Sequence, residues 1–373
     1  MKLNLLFCFA AVALFFSSCK NDVELNAPYK EIPSIYAVLD PTADEQMIRI
    51  NKVFLGEGDA NQMAKVADSV NYPANELEVK LERYLNGKKI QASSSRYFYS
   101  DSTDIYFTER MIETQSGSFS TTQRVYVTNH RLFDEGEYRL TVTNKRTGNK
   151  FTAKSNSVKP VSVATFSPLG FPPYYPYPGT ADPKTAYIDY SVESPKTPYE
   201  IRYTTNEAYF YQLILRFHIV DSVFNQSTER LVDYNAGSHS IRDAAKLGSS
   251  GSSYISHTFG GAGIYSTLGG EISKYPSSII GRRVKYLEYI IYSTNIEYAD
   301  YLDYIKPSLS LNQNKPLYSN FDNAAALGLF TFRTHKSVLK QISTNYTNRI
   351  ADNASTCQYK FFDQFFVVRG CAP

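Results

Sequence analysis

Leu77-Glu78-Val79-Lys80-Leu81-Glu82, followed by Asn86-Gly87, decides the fold class. Leu77, Val79 and Leu81 alternate with Glu78, Lys80 and Glu82, the period-two pattern of a strand with one face in a core and one in water. Asn and Gly both tolerate positive φ, so Asn86-Gly87 predicts a type I′ turn into a second strand. The pattern repeats outward. Downstream, Glu137 to Thr143 alternates again, and Thr147-Gly148-Asn149 turns into Lys150–Lys154. Upstream, Ser34–Leu39 reads as a strand stopped by Asp40-Pro41, and Met47–Phe54 alternates over its first half. Tyr97–Phe107 and Arg124–Val127 are further candidates, and Gly56–Tyr72 is polar with room for a short helix over Ala60–Ala67. Short alternating strands joined by turns predict a β-sandwich over residues 33–157.

The Gly-x-Tyr-x-Leu-x-Val run from Gly136 to Val142 resembles a late strand of immunoglobulin-like domains. Residues 158–183 break the strand pattern. Phe171-Pro172-Pro173-Tyr174-Tyr175-Pro176-Tyr177-Pro178 is held extended by its prolines. It reads as a stiff spacer between domains. The alternative is an aromatic platform in which Tyr174, Tyr175 and Tyr177 stack on a sugar or peptide.

A second β-rich domain is expected over 184–373. Ala186–Val192 is a strand. Tyr209–Asp221 is the longest strand predicted, with Tyr211, Leu213, Leu215, Phe217 and Ile219 on one face. A polar insertion follows, and Gly248–Ser253 and Gly260–Gly263 read as loops. Arg283–Tyr292 is another strand. Ser293-Thr294-Asn295 then caps one short helix near 295–306, whose stripe of Tyr298, Tyr301, Leu302 and Ile305 predicts core packing. Leu327–Arg333 is a buried strand. The fold expected is therefore dominated by β-structure: tandem immunoglobulin-like or β-sandwich domains, with one short helix in the second.

Leu14-Phe15-Phe16-Ser17-Ser18-Cys19 bears on location. Lys2 and the apolar run Leu3–Phe16 have the charge and length of a signal peptide, too short for a comfortable membrane span. Two small residues before Cys19 resemble the bacterial lipobox, where the chain is cut after residue 18 and the cysteine thiol carries a lipid. The plainer alternative is a secretory signal that happens to hold a cysteine. Residues 19–32 would be a tether, and Lys20–Glu24 resembles a surface-export signal as much as a solvated linker. Acylation with more than one chain would hold the protein at a bilayer.

Composition bounds the rest. The chain has 39 Lys and Arg against 36 Asp and Glu, and removal of residues 1–18 takes Lys2 and no acid. A nearly neutral protein without a basic stripe does not point to nucleic acid. Tyr (31) and Phe (23) are abundant and Trp is absent, which favours half-buried pleated surfaces. Cys8 leaves with the signal and Cys19 takes the lipid. Cys357 and Cys371 are expected to pair in an oxidising envelope. A metal or redox pair is the alternative, but their spacing is too wide for CxxC and no His lies between them.

No catalytic signature is found. The Gly248–Ser253 run has the wrong spacing for Gly-x-Ser-x-Gly. Gly260–Gly263 does not match Gly-x-Gly-x-x-Gly, and there is no His-Glu-x-x-His. His130, His218, His239, His257 and His335 lie far apart in sequence. His218 reads as a surface or partner residue rather than a metal ligand. Asp101-Ser102-Thr103-Asp104 reads as a turn rather than a calcium loop. No catalytic residue, metal or cofactor is assigned. Paired carboxylates of the glycoside-hydrolase kind are a matter of three-dimensional separation.

Several motifs occur in one order: the signal, Pro33-Ser34-Ile35-Tyr36-Ala37-Val38, Gly136–Val142 and Tyr298-Ala299-Asp300-Tyr301-Leu302. Pro316-Leu317-Tyr318-Ser319-Asn320-Phe321 and Leu327-Gly328-Leu329-Phe330 follow. Together they resemble an uncharacterised family of Bacteroidota outer-membrane lipoproteins, often encoded beside TonB-dependent transporters. Asn323-Ala324-Ala325-Ala326 departs from the Gly expected there. The resemblance implies an outer-membrane location, at the periplasmic face or cell surface, and a binding or accessory role beside a transporter. It assigns no catalytic residue. A direct glycan or peptide binder is the second expectation and an enzyme the third.

Overall fold

A computed structural model describes residues 32–53, 66–92, 103–113, 122–167, 169–170, 187–192, 199–204, 208–224, 226–240, 254–275, 278–305, 318–322 and 326–371. Cys19, Tyr174, Tyr175, Tyr177, residues 101–102 and Gly248–Ser253 lie outside them. Strands in several sheets dominate, with four helices among the described residues. The class is all-β and sandwich-like, as expected.

The first half contains β1 (Ile32–Leu39), β2 (Gln46–Val53), the one-turn α1 (Ala67–Val70), β3 (Leu77–Leu85), β4 (Lys88–Ile90), β5 (Asp104–Tyr106), β6 (Thr108–Glu113), β7 (Thr122–Thr128), β8 (Glu137–Asn144) and β9 (Lys150–Asn156). The predicted turn is present. Asn86 and Gly87 have φ of 50° and 77°, and Leu85 sits opposite Lys88. Positive φ at both central residues is the requirement of a type I′ hairpin. A small sheet runs β4-β3-β8-β9, with β5 also on β3. Its buried Leu77, Val79, Leu81, Tyr138, Leu140 and Val142 share one core with Ile35, Ala37, Leu39, Ile48 and Ile50 of β1 and β2.

The second half adds β10 (Val163–Ser167), β11 (Leu169–Gly170), β12 (Tyr187–Ile188), β13 (Tyr199–Thr204), β14 (Phe210–Val223), β15 (Gln226–Ser240), β16 (Tyr254–Phe259), α2 (Gly261–Ile272), β17 (Gly281–Thr294), α3 (Ile296–Ile305), β18 (Leu327–Lys340) and α4 (Thr344–Asp352). The large sheet has eight strands in the order β15-β14-β17-β18-β1-β2-β7-β6. Every pair is antiparallel except β1 with β18, where Ser34–Leu39 lies parallel to Leu327–Phe332. The segments on either side of 158–183 therefore share one sheet through this seam.

Three expectations are corrected. The polar stretch after Asp221 contains β15, which pairs with β14 along its whole length. Gly260–Gly263 opens α2 and is not a loop; Ile264, Leu268 and Ile272, spaced by four, are buried. Among the described residues the second half holds three α-helices, α2 to α4, where one was expected. Ser343 caps α4 by accepting a 3.0 Å bond from the Tyr346 amide.

Eleven of the described tyrosines are buried in the core. Tyr190, Tyr199, Tyr203, Tyr211, Tyr265, Tyr289 and Tyr346 are all buried. Buried phenols need partners. The Tyr190 and Tyr289 hydroxyls meet at 2.7 Å, and Tyr199 and Tyr265 each donate to the Tyr190 carbonyl at 2.7 Å. Cys357 and Cys371 lie at disulfide distance, with Cα atoms 4.9 Å apart. No helix among the described residues is long and apolar enough to cross a membrane.

Candidate binding surface

The site begins at Asn295, the buried residue between β17 and α3. Its Oδ1 accepts from the Thr331 hydroxyl, and its Nδ2 donates to Ser155 Oγ and to the Asn156 carbonyl. Ser155 also donates to Glu297 at 3.3 Å, and burial raises the Glu297 carboxyl above its ordinary range. These bonds fasten the start of α3 to β9 and β18.

That placement brings tyrosines from distant segments together. Ring centroids are 6.0 Å apart for Phe210 and Tyr298, 6.3 Å for Tyr298 and Tyr301, and 6.1 Å for Tyr36 and Tyr301. Tyr318 lies 5.7 Å from Tyr301 and 5.6 Å from Tyr304, and it donates to the Glu297 carbonyl at 3.1 Å. The rings meet edge to face or tilted, the arrangement their quadrupoles favour. The predicted core stripe is thus corrected. Within α3 only Ala299 is fully buried, while Tyr298, Tyr301, Leu302 and Ile305 are half-buried. Tyr36 is 42 % exposed and Tyr304 50 %. Burial raises the Tyr36 phenol, neighbouring Tyr298 and Tyr301 add to this, and Arg333 opposes it.

A polar margin adjoins the rings. The Arg333 guanidinium lies 4.7 Å over the Tyr292 ring, and His335 is 5.9 Å from the same ring. His335 Nδ1 is 3.0 Å from Asp40 Oδ2, and that hydrogen bond raises the imidazole. Thr42 donates to Asp40 and sits 3.2 Å from the same Nδ1. The surface offers ring faces, phenolic hydroxyls and cationic donors, a set suited to stacking and hydrogen bonding of a neutral or acidic ligand.

A concavity of about 530 Å³ lies apart from the rings, where β5 leaves the small sheet and β6 joins the large one. Tyr106, Met111, Glu78, Arg110, Arg124 and Lys145 line it. Two of its cations are engaged, Arg110 with Glu45 at 2.6 Å and Arg124 with Glu109 at 2.7 Å.

His218 is bracketed by carboxylates, Nδ1 to Glu229 at 2.8 Å and Nε2 to Glu288 at 3.0 Å. Asp104 is paired with Lys89 at 2.6 Å. Among the described residues no group of three or more His, Cys, Asp or Glu converges as a metal site. His239 and His257, distant in sequence, do come together, with ring centroids 4.2 Å apart.

His257 is 2 % exposed. Burial, with His239 adding to it, pushes its pKa from 6.5 down to about 4. The unfolded chain binds a proton that the folded chain refuses between those values. Stability is therefore expected to fall as pH drops from about 6.5 to about 4, by about 3 kcal/mol from this group. Above that window His257 contributes no slope. Urea unfolding across the range checks this: His257→Gln should remove that part of the slope, and an unchanged slope would count against it.

No protein-family model matches the chain, and no curated protein matches it.

Proposed function

We propose that this chain is a lipid-anchored, non-catalytic binding protein of the outer membrane, tethered through Cys19 and serving a TonB-dependent uptake system. The lipobox-like Leu14–Cys19 supports the anchor. The observation that carries the binding role is the half-exposed aromatic surface of Tyr36, Tyr298, Tyr301, Tyr304 and Tyr318 beside Arg333. Exposed clustered rings mark recognition surfaces in soluble domains. Pull-down from native membranes, through a tag remote from Cys19, is expected to recover a TonB-dependent transporter, and Tyr36→Ala with Tyr304→Ala to lose it. Recovery of the intact chain alone, under conditions that preserve other transporter complexes, would overturn the accessory role. Mass spectrometry of the native protein showing no acyl group on Cys19 would overturn the anchor.

The same surface favours a second reading, direct binding of a glycan or extended peptide, because rings with phenolic rims stack on sugar or proline C–H faces while hydroxyls bond the edges. Binding of an oligosaccharide that weakens about tenfold or more on Tyr36→Ala and Tyr304→Ala would support it, in line with central aromatic contacts. Undiminished binding would move the ligand elsewhere.

A further inference from the structure

At the far end of β14 and β17, three segments place large apolar side chains in water together. Val223 (41 % exposed) ends β14, Phe224 (81 %) follows it, and Ile280 (56 %) precedes β17. Phe365, Phe366, Val367 and Val368 follow in succession at 54, 48, 54 and 37 % exposure. Their adjacency is fixed by bonds: Ile280 donates to the Ser222 carbonyl at 2.9 Å, Arg282 to the Lys360 carbonyl at 2.9 Å, and Phe362 to the Arg282 carbonyl at 2.8 Å.

The last of these segments is a built turn. Buried Asp363 accepts from the Phe365 and Val367 amides at 2.8 and 2.9 Å, and from Arg369 Nε at 2.8 Å. Phe362 pairs with Val368. The Phe362 ring lies on Gly281, where any Cβ would meet it at 2.3 Å. Cys357 and Cys371 close the base. Phe366 has φ of 60°, a left-handed conformation a phenylalanine adopts only when its surroundings hold it there. So the fold holds this Phe-Phe-Val-Val tip in place with its side chains outward.

Cations lie behind the tip: Arg283, Lys285 and Lys360 are half-buried and Arg369 is exposed, while Arg282 is buried with Asp221. Lys285 is 3.8 Å from Glu229, and Arg369 pairs with buried Asp363 and with Asp352. The Arg283 guanidinium sits 4.8 Å over the Phe366 ring, at the level where headgroups would meet a tip whose apolar end is immersed. Consecutive apolar side chains on protruding turns, with cations behind them, suit an anionic bilayer surface.

We infer that Phe365–Val368, with Phe224 and Ile280 beside it, is a membrane-docking tip that inserts into a phospholipid surface carrying anionic headgroups. The inference leans on the envelope reading only in that a bilayer must be within reach.

The absence of Trp provides the test. The full chain carrying Phe366→Trp, and separately Phe224→Trp, is mixed with vesicles of phosphatidylcholine and phosphatidylglycerol, with and without brominated acyl chains. Each sole tryptophan is expected to shift to the blue and lose emission several-fold with brominated lipid. Tyr106→Trp, in the groove at β5, should do neither. A chain that sediments with the vesicles while both tip tryptophans stay unquenched overturns the tip and leaves the Cys19 anchor standing. Quenching in a chain shown by mass spectrometry to lack an acyl group supports the tip independently of the anchor. A blue shift that requires an added membrane protein, and not lipid, overturns the lipid assignment in favour of a protein partner.

Discussion

Gly328→Ala is expected to cost on the order of 4–5 kcal/mol, at the extreme of single-substitution effects, or to leave no soluble native protein. Gly328 lies in β18 directly opposite Ile35 of β1, at φ of 128°. A Cβ there would sit 1.8 Å from the Ile35 carbonyl oxygen and 2.7 Å from its carbonyl carbon. Those atoms are backbone, so no rotamer change relieves the overlap; β1 must move. The same glycine donates to the Tyr318 carbonyl at 3.1 Å and accepts from the Asn320 amide at 3.3 Å. Displacing it would disturb the Tyr318 end of the aromatic surface as well as the seam. Gly148→Ala supplies the comparison. Gly148 has φ of 75° with nothing within 4 Å of a Cβ, so that variant measures backbone strain alone, about 1–2 kcal/mol. The difference between the two urea midpoints isolates the seam. Equal losses would mean that β1 does not lie against Gly328.

The parts of this fold that showed in the sequence are those in which one strand meets both water and core. Leu77, Val79 and Leu81 alternate because β3 has a wet face, and Tyr211 to Ile219 alternate because one face of β14 is buried in the core. β15 did not show, because it is a sheet edge whose inward face is covered only in part: Val232 alone is fully buried in it, with Tyr234 and Ala236 half-buried against the core. α2 was hidden by composition, since its Gly, Ala and Ser residues carry loop statistics while the spacing of Ile264, Leu268 and Ile272 carries the helix. The aromatic surface was half legible. The stripe on α3 could be read, but Tyr36 joins it only through the parallel pairing of β1 with β18, Tyr318 through the bridge beside Gly328, and Phe210 through the β14–β17 pairing. Parallel partners share no turn, so nothing local announces them. The same holds for the tip, where Phe365–Val368 comes beside Ile280 only through backbone bonds between Arg282 and Lys360 and Phe362, far away in sequence.

Asp221→Ala is expected to cost about 3–5 kcal/mol, the range for removing one partner of a buried ion pair. Asp221 and Arg282 are each 1 % exposed and lie directly opposite in the β14–β17 register. Arg282 Nε is 3.4 Å from Asp221 Oδ1, and Arg230 Nε is 2.9 Å from Oδ2. Burial already pushes the Arg282 guanidinium pKa down, with Asp221 opposing that push. Without the carboxylate, Arg282 would be an uncompensated cation in the interior, whereas Arg230 keeps its place 4.3 Å over the Tyr275 ring and partial access to water. Arg282→Met should cost less, because Asp221 still has Arg230. Asp221→Leu combined with Arg282→Met should recover to within about 1 kcal/mol of the wild type, since apolar replacements remove both desolvation costs together. The loss in Asp221→Ala should also reach the C-terminal turn, because the Arg282 backbone holds Lys360 and Phe362. Amide exchange over Phe361–Val368 is therefore expected to accelerate in Asp221→Ala beyond the global loss, and to return in the double variant. If urea unfolding puts Asp221→Ala within about 1 kcal/mol of the wild type, the charge on Arg282 is not buried as described, and the turn it carries has another support.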